Sequence, residues 1–140
     1  MDSTDNTDKM DIDVINFKLE KAERVYKSAG VMLRDGDYES AVNRAYYCVF
    51  HTICALLLLD GKSYKEHSAV LAEFNKNYLR FGVFTEFSFK MVNALSDARN
   101  KSDYTDMFYM TAEKANGYIV DAKLIHDAIK TYIRNRIKNL

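Results

Sequence analysis

The chain has 140 residues, enough for one domain with a substantial core, and its twenty Lys and Arg balance twenty Asp and Glu to a formal charge of zero. That balance excludes a surface coated in positive charge for duplex nucleic acid, while leaving room for a local basic patch. With no proline and only five glycines, strand-turn signals are scarce, and the composition points to an all-α fold, an antiparallel bundle of four or five helices.

Residues 1–13, MDSTDNTDKMDID, are rich in Asp and poor in apolar side chains. They read as a flexible acidic tail, and residues 14–140 as a single helical bundle domain. An acidic start is the opposite of a secretion signal, and the apolar run Ile53–Leu59 is shorter than the roughly 20 residues a bilayer requires. The expected location is therefore the cytoplasm, without a membrane partner. In the first helix, expected from Val14 to Arg34, Ile15, Leu19, Ala22, Tyr26, Ala29 and Leu33 recur at alternating four-three spacing and form one seam. Gly36 ends it and Asp37 caps the next helix, so the two should form an antiparallel hairpin.

The second helix, Asp37 to Leu59, is apolar on most of its circumference. Ala41, Ala45, Cys48, Thr52, Ala55 and Leu59 make one row, and Val42, Val49, Ile53 and Leu56 a second beside it. Such a helix must be surrounded by others. Arg44, Tyr47 and His51 stand at i, i+3 and i+7 and give it one polar stripe. Cys48 and Cys54 are six apart, point to different sides and should not bridge. Asp60-Gly61 stops the helix. Ser63 and Glu66 have capping-box spacing for a third helix that buries Val70, Leu71, Phe74 and Tyr78, with His67 in its first turns. A turn over Leu79–Phe84, around Gly82, leads to a fourth helix from Thr85 to Ser102 with Phe87, Met91, Ala94, Leu95 and Ala98 inward. The stretch Asp103–Met110 reads as a loop. Thr111 caps a last helix reaching Lys138, whose inward row is Ala115, Ile119, Ala122, His126, Ile129 and Ile133. There His126 is expected as a hydrogen-bonded core histidine.

The sharpest polar cluster is RNKSDY, Arg99 to Tyr104. Arg99 and Asp103 are i, i+4, a spacing that in isolation makes only a weak intrahelical ion pair. Arg99 and Tyr104 are five apart, about 140° around an ideal helix, so they meet only if the helix ends between them. No His pair has the spacing of a helical zinc site, no Gly-rich phosphate loop is present, and neither metal nor cofactor is expected.

The order of elements, the stretch AVNRAYYCVFHTICALL from Ala41 to Leu57, the later His67 and RNKSDY before a long final helix together resemble the HEPN domains, most closely the small stand-alone prokaryotic members. The resemblance implies an all-α bundle, commonly a homodimer. It also implies RNA or nucleotide as a ligand, and a toxin–antitoxin or defence setting, often beside a minimal nucleotidyltransferase. In the catalytic members, metal-independent ribonucleases, an Arg followed by a polar residue precedes a His a few positions on. Arg99 and Asn100 match, but the His position is held by Tyr104. Tyrosine, with an ordinary pKa near 10, is a poor base at neutral pH, whereas Arg can still grip phosphate with two parallel bonds. The resemblance therefore implies binding through Arg44, Tyr47, His51, Arg99 and Asp103. Arg99, Asn100 and Tyr104 are the residues that would carry any cleavage. The alternatives are a His-substituted endoribonuclease and a non-catalytic dimeric interaction module. An accessible Tyr104 would also be a target for nucleotide transfer by the partner.

Overall fold

The computed structural model describes residues 8–104 and 109–140, all helix and connection. Five helices follow one another: α1 (Asp8–Arg34), α2 (Tyr38–Leu59), α3 (His67–Phe74), α4 (Phe89–Tyr104) and α5 (Ala112–Lys138). Helix α1 opens at Asp8 rather than at Val14, so residues 8–13, which composition assigned to a tail, are helical. Asp11 and Asp13 in its first two turns complement the positive helix end.

Tight closures join the helices. At Gly36, φ is 82°, and the amides of Gly36 and Asp37 donate back to Leu33 and Met32 at 3.1 and 2.9 Å, a left-handed cap that only glycine enters without strain. The Asp37 carboxylate then accepts from the Ser40 amide at 3.2 Å and starts α2. α1 and α2 thus form the expected hairpin. Thr111 caps α5 in the same way, accepting from the Lys114 amide. Helix α3 differs from expectation. It starts at His67 with Glu66 as cap and no side-chain capping bond, so the Ser63–Glu66 box is not used. It then widens into a π-turn over Asn75–Leu79. Helix α4 begins at Phe89 instead of Thr85 and runs through Tyr104, past the end expected at Ser102.

Helix α2 lies at the centre, with α1, α3, α4 and α5 packed on it. Twelve of its residues are buried, among them Ile53, Leu56 and Leu57, each contributing about 1.5–3 kcal/mol by leaving water. By length and composition this helix could cross a membrane, but a core helix passes the same test, and here its apolar rows face the bundle. The expected inward row of α5 is buried throughout.

Two polar knots tie the helices. Thr52 donates to the Cys48 carbonyl at 2.8 Å, and its oxygen meets His126 Nδ1 at 2.7 Å. His126 Nε2 lies 2.9 Å from Glu23 Oε2, which also accepts from Lys130 at 2.6 Å. Burial alone would raise the Glu23 carboxyl, but these two donors outweigh it and hold it below the ordinary range. The network joins α1, α2 and α5. Farther along, the Tyr78 hydroxyl donates to Asp60 Oδ2 and accepts from Arg136 Nη1 at 2.8 Å, while Arg136 Nη2 pairs with Asp60 Oδ1 at 3.1 Å. This second knot fixes the end of α2 to the π-turn and α5.

Candidate functional site

The α2–α4 packing creates the main cleft. Tyr46 and Tyr47 are successive residues of α2, so they project about 100° apart, the first into the core and the second toward its edge. Arg99 reaches across from α4 and lies over both rings, its guanidinium carbon 5.6 Å from the Tyr46 centroid and 5.3 Å from that of Tyr47. Its Nη2 donates to the Tyr47 hydroxyl at 2.9 Å, and Nη1 makes a long 3.3 Å contact with Asn100 Oδ1. A planar cation held on two aromatic faces is positioned before any ligand arrives.

His67 enters the same cleft from the first turn of α3. Its Nδ1 lies 2.9 Å from the Tyr46 hydroxyl, and its ring stacks on Phe50 with centroids 4.0 Å apart. Burial, and then the positive charge of Arg99, lower its pKa, so the ring is neutral at pH 7. Burial also pushes the Tyr46 phenol up to about 12, partly offset by Arg99, so it stays protonated. The cleft has a volume of about 600 Å³, and its walls include Lys65, Ser96, Asn93 and Asn100 as well as the carboxylates Glu66 and Asp97.

The sequence-predicted residues are distributed unequally. Arg99, Asn100 and Tyr47 line this cleft together. Arg44 does not; its Nη1 donates to the neighbouring Asn43 at 2.8 Å. His51 lines an adjoining compartment instead. Burial, followed by Lys21 and Lys18, pushes its pKa down to about 4. The stripe Arg44–Tyr47–His51 rises about 10 Å along α2, so one crossing helix meets only its middle. The readings of Asp103 and Tyr104 rest on side chains outside the described residues. Sequence reasoning missed His67 and Lys65 as cleft residues. One signal was available: Tyr46 is on a buried face, and a buried phenol must find a polar partner. Among the described residues, no cluster of His, Cys, Asp or Glu could hold a metal ion. Cys48 is buried and Cys54 half-buried, and both are free thiols.

Fold and site together define an all-α helical bundle with an aromatic-backed arginine in an open cleft. Residues 15–132 match the HEPN domain family, and the chain belongs to it. It is 31% identical over 122 residues to a UPF0332 protein of Thermotoga maritima, covering 87% of this chain and 92% of that protein. Over 120 residues it is 31% identical to a candidate toxin of Methanocaldococcus jannaschii, covering 86% of this chain and 89% of the relative. The solved structure of an archaeal HEPN homologue superposes with a TM-score of 0.61 at 20% identity, covering 85% of this chain and 97% of that one, and shares the fold.

Proposed function

We propose that this HEPN domain is the RNA- or nucleotide-binding member of a toxin–antitoxin or defence-type system. Arg99 grips phosphate with its guanidinium fork, Asn100 and Lys65 assist, and Tyr47 holds the fork in place. The observation that carries this reading is the Arg99 guanidinium seated on Tyr46 and Tyr47 at an open cleft of about 600 Å³. The candidate-toxin names of two relatives from Methanocaldococcus jannaschii support the setting. A homodimer packed about the α4 end, and a minimal nucleotidyltransferase as partner, complete the proposal. Sedimentation and co-purification with the neighbouring gene product test those two parts. For the ligand, the test is binding of labelled single-stranded RNA across a range of salt. Wild-type affinity should fall with salt, and Arg99→Ala should weaken binding and flatten the slope by about one phosphate contact. Equal affinity and slope in the variant would remove the proposal.

A second reading, a metal-independent endoribonuclease, is favoured by His67, which brings an imidazole into the Arg99 cleft of a chain whose RNKSDY segment carries no histidine. In it the ribose 2′-oxygen attacks the adjacent phosphorus while an imidazole nitrogen of His67 takes the hydroxyl proton, the bond from phosphorus to the 5′-oxygen breaks, the leaving oxygen takes a proton from water, and the imidazolium returns its proton to the solvent. The products are a 2′,3′-cyclic phosphate and a 5′-hydroxyl. Cleavage in the presence of chelator, lost in both Arg99→Ala and His67→Ala, would establish it. No cleavage by the wild type leaves the binding module.

A further inference from the structure

Beside the main cleft lies a second, smaller compartment of about 210 Å³, between α1, α2 and the 60–66 connection. Lys65 and His67 line both cavities, so the two adjoin along these residues. The compartment differs from the cleft in charge. It is lined by Lys18, Lys62 and Lys65 and by no carboxylate, whereas the cleft includes Glu66 and Asp97. Its walls also carry the rings of Phe50, His51 and Tyr64. The connection that forms its outer wall is held in place by Glu73, which accepts from both Lys62 Nζ at 2.7 Å and the Tyr64 hydroxyl at 3.1 Å. Lys62 is thereby engaged in that ion pair, leaving Lys18 and Lys65 as the cations that face a ligand.

Lysines alternating with aromatic faces match the backbone and bases of an unpaired strand. We infer that the second compartment is a subsite for the neighbouring nucleotide of single-stranded RNA. The Arg99 cleft holds one phosphate, the strand passes over Lys65 and His67, and the next base lies among His51 and Tyr64 with its phosphate at Lys18. The low basicity of His51 fits this role, since its ring stays neutral and stacks without adding charge. The inference rests on the Arg99 reading of the cleft and adds a length requirement: an oligonucleotide fills both cavities, a mononucleotide only one.

The test uses the full chain with a short oligouridylate and with uridine monophosphate. Cys54 lines the compartment and is half-buried, whereas Cys48 is buried; burial raises both thiols, that of Cys48 to about 12, so Cys54, the more accessible of the two, is the thiol that reports. Saturating oligouridylate should slow maleimide labelling of Cys54, and the monophosphate should not. Lys18→Glu should lower the salt slope for the oligonucleotide by about one. Tyr64→Ala should weaken its binding by about fivefold or more, as loss of one stacked base does. Both variants should bind the monophosphate as the wild type does. If the oligonucleotide binds through Arg99 yet leaves Cys54 labelling and both variants unchanged, the subsite is refuted and the cleft reading survives. If Arg99→Ala retains full oligonucleotide affinity, the cleft reading fails and the subsite, which rests on it, fails with it.

Discussion

Tyr47→Phe isolates the contact that positions Arg99. The substitution keeps the ring, and with it a cation–π attraction of about 0.5–1 kcal/mol, but removes the hydroxyl that accepts from Nη2 at 2.9 Å. A hydrogen bond to a charged group contributes about 1.5–3 kcal/mol, and the half-buried site argues for the lower end. Stability should therefore fall by about 1.5 kcal/mol, or roughly 5 °C in Tm for a chain of this length. The second consequence is functional. A guanidinium no longer held by the phenol must be ordered by the ligand instead, which costs about 1 kcal/mol, or about fivefold in RNA affinity. Thermal denaturation reads the first effect, and fluorescence anisotropy with labelled single-stranded RNA at fixed salt reads the second. Unchanged or tighter RNA binding in Tyr47→Phe, with binding still weakened in Arg99→Ala, would show that the hydroxyl competes with phosphate rather than orienting the fork.

The remaining predictions concern the scaffold that holds the cleft. Tyr78→Phe removes the shared partner of Asp60 and Arg136, and because those two still pair with each other the loss should be about 1.5–2 kcal/mol by chemical denaturation. A change under about 0.5 kcal/mol would show that water replaces the phenol. Thr52→Val leaves His126 Nδ1 facing a methyl group inside the bundle and should cost about 1–3 kcal/mol; an unchanged denaturation midpoint would contradict the network. Alkali gives a third test. Burial pushes the Tyr46 phenol up to about 12, and burial with the Asp60 hydrogen bond raises that of Tyr78 as well. The folded state then keeps two protons that the unfolded chain releases near pH 10, so stability should fall as pH rises above that value. Tyrosinate absorbance followed with circular dichroism should show these two phenols ionising only as helix is lost. Ionisation of all ten tyrosines near pH 10 with helicity intact would refute it.

The helical frame was legible because apolar periodicity and caps act locally. Gly36, Asp37 and Thr111 mark helix ends through bonds to amides and carbonyls within a few residues, and the Ala115–Ile133 row follows one face of one helix. Boundaries failed where local signals were outweighed. Ser63 and Glu66 form a good capping pair in sequence, yet Lys62 and Tyr64 on the same connection are drawn to Glu73, and α3 begins later. The cleft was half legible. Arg99 and Tyr47 are recognisable by type, but their meeting spans 52 positions and depends on how α4 crosses α2. His67 was hidden for the same reason, since its partner Tyr46 is 21 residues away and the contact exists only once the 60–66 connection folds back along α2. Arg44 shares a helix face with Tyr47, but a shared face does not bring it to the crossing point.

The account depends most on where RNA lies. Photocrosslinking a short single-stranded RNA carrying 4-thiouridine, followed by mass spectrometry of the tryptic peptides, locates it without any substitution. Adducts should concentrate on the segments around Tyr46–Tyr47, Tyr64–His67 and Arg99–Asn100, and be reduced in Arg99→Ala. Adducts confined to the outer faces of α1 and α5, with the Tyr46–His67–Arg99 cleft unmarked, would contradict it.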